Sequence, residues 1–266
     1  MNQEEIITSL ETDDMADSRL LRYASLEDAS AKYYQWQMSW FWPHVGQRVL
    51  EVGCGIGSIT GLLGPRELIV SLDVEEPVLE YAKKRMADHK HCQFRLLDIT
   101  SCTDVELDEL KKLKFDTIIC INVLEHIAED QKAIERFFQV LGPGGKLLLL
   151  VPAHPLLYGK YDAVDGHHRR YFKRGLRALL DRCGFKPLFL KHFNAVGAIG
   201  WFVQYRLLQR SGHGDTQVGL MNRLLPYLRF VEERVPPLWG LSLIAVCTTA
   251  ENGLSVADDA LRDDHS

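Results

Sequence analysis

The segment V-L-E-V-G-C-G-I-G-S, residues 49 to 58, constrains the fold of this chain more than any other. An apolar run ends at Val52, and Gly53, Gly55 and Gly57 follow at alternate positions. Glycine takes left-handed backbone freely and lets a ligand approach the chain closely. The pattern therefore predicts a tight turn from a strand into a helix N-terminus. Asp73 stands twenty residues after Gly53, at the end of the next apolar run, where a carboxylate can accept both hydroxyls of a ribose.

Around this turn the sequence alternates short β-rich runs with helical stretches. Arg48 to Val52, Glu67 to Leu72, Gln93 to Leu97, Asp116 to Ile121 and Lys146 to Val151 read as strands. Glu76 to Met86 and Glu129 to Leu141 read as helices, the second stopped by G-P-G-G. Strands apolar on both faces, with helices between them, predict a doubly wound α/β layer around a parallel sheet. Beyond it, Lys173 to Cys183 reads as a helix, Lys186 to Phe193 as a strand and Ser242 to Ala250 as the last strand. Residues 195 to 236 read as an inserted pair of amphipathic helices, and residues 16 to 45 as an aromatic-rich helical segment.

Charge is placed unevenly. The chain of 266 residues carries -5 overall; residues 1 to 18 hold -6 and residues 251 to 266 hold -4, which leaves +5 between them. The acidic ends, 1 to 15 and 253 to 266, read as solvated tails, and the mildly basic body carries no argument for nucleic acid. No apolar run reaches the ~18 residues that span a bilayer. The N-terminus lacks the basic and apolar regions of a secretory signal, and six cysteines form no CxxC pair. A cytoplasmic protein without a transmembrane segment is expected.

The dinucleotide fingerprint G-x-G-x-x-G/A needs Gly or Ala at 58, where this chain has Ser58, and it gives no role to Glu51. The pattern E-x-G-x-G-x-G fits as written. The chain here resembles the class I S-adenosylmethionine-dependent methyltransferases of the broad small-molecule type, over roughly residues 30 to 190. The resemblance implies a Rossmann-like seven-stranded sheet with its last strand antiparallel, in a single domain over 16 to 252 with the N-terminal segment as a lid. It implies S-adenosyl-L-methionine as cofactor, held at Glu51, Gly53, Cys54 and Gly55, with Asp73 on the ribose and Val74 beside the adenine. Asp98 and Ile99 in R-L-L-D-I match the adenine-holding position; Asn122, Val123 and Leu124 in N-V-L-E-H match the fourth-strand motif, with Glu125 and His126 at its rim. Tyr33 and Trp36 are candidates to stack near the sulfonium.

The substrate side is expected in residues 152 to 177, directly after the fifth strand. Eight basic or potentially basic residues fall within the eighteen positions from Lys160 to Arg177, a cluster suited to an anionic metabolite. G-H-x-R-R-Y at 166 to 171 resembles a recurrent bacterial subgroup of these enzymes. His167 is the first candidate for a base or orienting group, with Tyr171 and Tyr158 beside it; His126, His154, Arg169 and Arg170 are candidates for binding substrate. The plainer reading pairs Arg169 and Arg170 with acids such as Asp162 or Asp165. No metal is expected, because Asp162 and Asp165 lack a matching His or carboxylate set in the sequence.

These features predict methyl transfer to an O or N nucleophile of a small, anionic metabolite. Displacement at another sulfonium carbon with release of methylthioadenosine, NAD-dependent oxidoreduction and cofactor sensing are the alternatives. The insertion reads as a substrate lid or homodimer face in preference to a peripheral membrane contact.

Overall fold

A computed structural model describes residues 31–203, 215–235 and 237–249. The expected tails, 1 to 15 and 253 to 266, lie outside the described residues, as do Arg206 and Arg210 of the insertion.

Helix α1 (31–39) precedes the sheet. The alternating unit then runs β1 (Arg48–Val52), α2 (Ser58–Leu62), β2 (Leu68–Asp73), α3 (Glu76–Arg85), β3 (Cys92–Leu96), α4 (Asp104–Lys112), β4 (Phe115–Ile121), α5 (Asp130–Val140) and β5 (Leu141–Pro152). After it come α6 (Lys160–Val164), α7 (Lys173–Arg182), β6 (Lys186–Phe193), α8 (Ala195–Trp201), α9 (Asp215–Arg234) and β7 (Ser242–Thr248). The sheet order is β3-β2-β1-β4-β5-β7-β6. β7 runs antiparallel to both neighbours and the other pairings are parallel, so this is the seven-stranded Rossmann-like sheet expected from the resemblance. Order reverses between β1 and β4, and ligands bind at that reversal, outside the carboxyl ends of the strands.

Each face of the sheet has its own core. Leu50, Val52, Val70, Ile118, Leu147 and Leu149 pack with α5 and α7 through Ile134, Phe137, Leu176 and Leu180. Val49, Ile69, Ile119, Leu148 and Ile244 pack on the opposite face with Trp36, Met38, Phe41 and Ile59. Central strands buried on both faces carry no polar alternation, which is why they read as continuous apolar runs.

The strands predicted from sequence agree with those observed to within about two residues, except that β5 starts at Leu141 and takes in the G-P-G-G segment. Helix α4 was expected only as one of the helical pieces between strands, without bounds. Thr103 accepts a hydrogen bond from the Glu106 backbone N–H while Glu106 accepts one from the Thr103 N–H, a reciprocal cap worth about 1 kcal/mol.

Candidate active site at the strand-order reversal

The turn from β1 into α2 uses the glycines as the sequence requires. Gly53, Gly55 and Gly57 have φ of 72°, 53° and 81°. A Cβ on Gly53 would lie 2.3 Å from Val123 Cγ2, so the turn and the end of β4 touch at a point only glycine fits. Nothing lies within 4 Å of the corresponding position on Gly55, which leaves that side of the turn open. Leu72 O accepts from both Gly53 and Cys54 N–H at 2.9 Å, fastening the turn to β2.

Asp73 holds the other wall. Its Oδ2 accepts from the Gly55 N–H at 2.7 Å, and its Oδ1 accepts from Val74 and Glu75 N–H at 2.8 and 3.1 Å. Burial raises its pKa against these backbone bonds. Val74 is exposed beside it. Asp98 is half-buried, and Thr100 and Ser101 donate to its carboxylate. Burial would raise its pKa, but those bonds outweigh it and hold the group below the usual carboxylate range. Ile99 is buried beneath the same turn, and Asn122 is exposed at the end of β4 with φ of 53°.

Four of the expected cofactor contacts are held by other partners within the fold. Glu51 is buried, its Oε2 accepting from Thr60 and Ser71, and burial pushes its pKa up to about 7. Its bonds to Thr60 on α2 and Ser71 on β2 brace the elements on either side of the turn. Leu124 is wholly buried in the core packed against α5. Trp36 is likewise buried, its ring 4.3 Å from that of Phe193 on edge strand β6, and Tyr33 packs against both. The Tyr33 hydroxyl accepts from Asn194 Nδ2 at 3.1 Å. Both rings therefore serve the face core and the β6 end.

The segment after β5 forms an excursion closed at its base. Tyr171 N–H donates to Pro152 O and His154 N–H to Tyr171 O, each at 2.9 Å. Inside it Asp162, wholly buried, gathers its neighbours. Its Oδ1 lies 2.8 Å from His167 Nδ1 and accepts from Arg170 Nε at 2.8 Å, and its Oδ2 accepts from the Gly159 N–H. Arg170 is buried with its guanidinium 4.5 Å above the Trp201 ring. His168 N–H donates to Glu125 O at 2.8 Å, which brings the excursion onto the end of β4.

This arrangement corrects the expectation for the basic cluster. Arg170, buried, pairs with Asp162 as the plainer reading had it and is withdrawn from a substrate, while Arg169 pairs with Asp130 at 3.0 Å and stays partly exposed. Tyr171 is buried, its hydroxyl 3.3 Å from Leu124 O and 3.1 Å from Asp130 Oδ2; burial and the Asp130 charge raise its pKa far above the ordinary value. Tyr158 donates to His167 O at 2.7 Å and so positions that residue's backbone. Burial alone would lower the His167 pKa, but Asp162, Asp165 and the charge of Glu125 push it up to about 9. A ring protonated at neutral pH has no lone pair to take a proton, so His167 alone is not a ready base. His154 stacks on His192 at 4.9 Å, and burial lowers the pKa of both.

The structure also brings together what the sequence kept apart. Glu125 and His126, on the turn after β4, meet His167 from the excursion, with one ligand atom from each within 4.8 Å of the others. The Asp162 and Asp165 carboxylates do have a matching histidine: His167 Nε2 lies 3.4 Å from Asp165 Oδ2. Sequence reasoning missed Asp162 as the organiser of the excursion; its place five residues before His167, across a glycine turn, was the available signal.

Residues 50–147 match the family described as a methyltransferase domain. The chain is 34% identical over 104 residues to the ubiquinone biosynthesis O-methyltransferase of Coxiella burnetii strain Dugway 5J108-111, covering 38% of this chain and 42% of that one. It is 30% identical over 129 residues to the juvenile hormone acid O-methyltransferase of Bombyx mori, covering 47% and 45%. The aligned stretch thus spans under half the length of these curated relatives. Among solved structures, the N-methyltransferase NodS from Bradyrhizobium japonicum WM9, in complex with S-adenosyl-L-homocysteine, superposes with a TM-score of 0.51 at 15% identity, over 94% of this chain and all of that one. That likeness shows the fold.

Proposed function

We propose, from the premise that this chain carries a class I S-adenosylmethionine-dependent methyltransferase domain, that it transfers a methyl group to an oxygen nucleophile of a small acceptor. One observation carries the reading: Asp73, at the carboxyl end of β2, is tied to the glycine turn through the Gly55 N–H, at the reversal of strand order. The residues fit the cofactor. We assign the open side of Gly55 to its amino acid end, Asp73 to the ribose, and Val74 and Asp98 to the adenine, with Ile99 buried beneath them. When bound, the cofactor supplies an electrophilic methyl group on a sulfonium. The chain's own residues then have to orient the nucleophile and exclude water.

Preference for oxygen over nitrogen rests on the two O-methyltransferases among the relatives. An anionic acceptor remains part of the proposal, but its support passes from Arg169 and Arg170 to the exposed His168 and Lys173. Helix α9 exposes Tyr227, Phe230 and Val231, the face we assign to a lid over the acceptor or to a second copy. No helix among the described residues is long and apolar enough to cross a membrane. Six free cysteines suit the reducing conditions of the cytoplasm, where we place the protein.

Calorimetric titration with S-adenosylmethionine, S-adenosylhomocysteine and NAD tests the reading, followed by mass analysis of cofactor products. Micromolar binding of the first two, weakened roughly 10- to 100-fold in Asp73→Ala, is expected for a lost charge-assisted contact. Binding of NAD alone, or of none of the three, would refute it. Methylthioadenosine in place of S-adenosylhomocysteine would establish displacement at another carbon.

A further inference from the structure

We propose that Glu125, His126 and His167 form a binding site for a divalent transition-metal ion of the zinc or manganese class, set beside the cofactor crevice to hold the acceptor's hydroxyl. That second role rests on the methyltransferase reading; the ion site itself does not.

Three observations converge on it. Ligand atoms of the three residues lie within 4.8 Å of one another, and side-chain movement of about an ångström would bring them to the roughly 3.4 Å between ligands of a tetrahedral ion with bonds of about 2.1 Å. Glu125 is 1% exposed, yet its Oε2 has no hydrogen-bond partner, an expensive condition for a buried carboxylate that an ion would relieve. His167 Nδ1 is held by Asp162 Oδ1 at 2.8 Å, and Nε2 faces Asp165 Oδ2 at 3.4 Å, a contact that an ion at Nε2 would replace or share. A carboxylate on the far nitrogen of a ligating histidine is the usual outer support of a metal site.

Charge agrees with the geometry. The carboxylates of Glu125, Asp162 and Asp165 crowd this corner, and of the groups facing it Arg170 is a permanent cation, already paired with Asp162. Two imidazoles and a carboxylate, without thiolate, select zinc, manganese or iron over magnesium or calcium. Three protein ligands leave coordination positions open. The location matches the task, since Glu125 follows Val123, the residue against which the glycine turn packs. An acceptor hydroxyl at the open position would have its pKa lowered, release its proton to solvent and present oxygen as the nucleophile.

The experiment uses the full chain, stripped with chelator and titrated separately with ZnCl2, MnCl2 and S-adenosylmethionine, with the absorption spectrum of added Co2+ as a second readout. We expect one Zn2+ or Mn2+ per chain at micromolar affinity, weakened at least 10-fold in Glu125→Gln and in His126→Ala and unchanged in Asp73→Ala. Circular dichroism establishes that each variant is folded, and the isosteric Glu125→Gln guards against misfolding. No binding by the wild type, or binding that both substitutions leave unchanged, would overturn the site. Ion binding without S-adenosylmethionine binding would sink the methyltransferase reading and leave the site standing; the reverse result would do the opposite.

Discussion

Glu51 and Ser71 are register partners on neighbouring parallel strands, and the serine hydroxyl donates to Glu51 Oε2 at 2.8 Å. Thr60 donates to the same oxygen, so one buried carboxylate ties β1, β2 and α2 together behind the cofactor turn. Burial lifts its pKa from 4.5 to about 7, which makes the protonated form the one that suits the fold. A folded pKa above the unfolded one gives stability that is complete below pH 4.5 and lost as pH rises through about 7. Glu51→Gln keeps an acceptor and removes the titration. Relative to wild type it should gain roughly 1–3 kcal/mol between pH 4.5 and pH 8 in urea unfolding. Parallel stability profiles for the two proteins would contradict this account.

Gly53→Ala should destabilise the fold by roughly 1–3 kcal/mol, because φ of 72° is unfavourable for alanine and the new methyl meets Val123 at 2.3 Å. The double variant Gly53→Ala, Val123→Ala should recover part of that loss by removing the clash while the backbone strain stays. Thermal unfolding of the single and double variants separates the two contributions. Equal stability of both would show that contact with Val123 does not matter.

Trp36→Ala should cost about 3–5 kcal/mol, the usual range for emptying a large aromatic site in a core. Affinity for S-adenosylmethionine in the folded fraction should stay within about threefold of wild type, since the ring packs on Phe193. A tenfold loss of affinity in protein shown to be folded would restore Trp36 to the lid role expected from its sequence position.

Tyr171→Phe removes a hydroxyl bonded to Asp130 and Leu124 O. A stability loss of about 1 kcal/mol is expected, with kcat within a few-fold of wild type. A hundredfold fall in kcat at unchanged stability would make the hydroxyl catalytic after all.

The sheet was legible because its information is local. Gly53, Gly55 and Gly57 announce their own backbone, Asp73 follows at the spacing of one strand-helix-strand step, and apolar runs announce burial on both faces. Side-chain partners were less so. Glu125 and His167 are far apart in sequence and meet only because the excursion after β5 folds back onto β4. Arg169 and Asp130 are separated in the same way, so the spacing of the cluster did not tell which of its cations are paired. Aromatic spacing in α1 was equally silent, since Trp36 facing a cofactor and Trp36 facing Phe193 leave the same pattern. Helix α4 could have been found from its capping residues, Thr103 and Glu106, which are local.

The two backbone bonds between Pro152, His154 and Tyr171 close the segment from 153 to 171 like the neck of a purse. Loop closure costs little more for a long segment than for a short one. Length inside the neck is therefore cheap to change, while the residues that tie the segment to itself and to the end of β4, Asp162, His168 and Arg170 among them, are not. A graft between Ala153 and Tyr171 that lengthens the segment but keeps those residues should leave the strands and the cofactor turn in place, so the neck marks where the scaffold ends and a separable module begins.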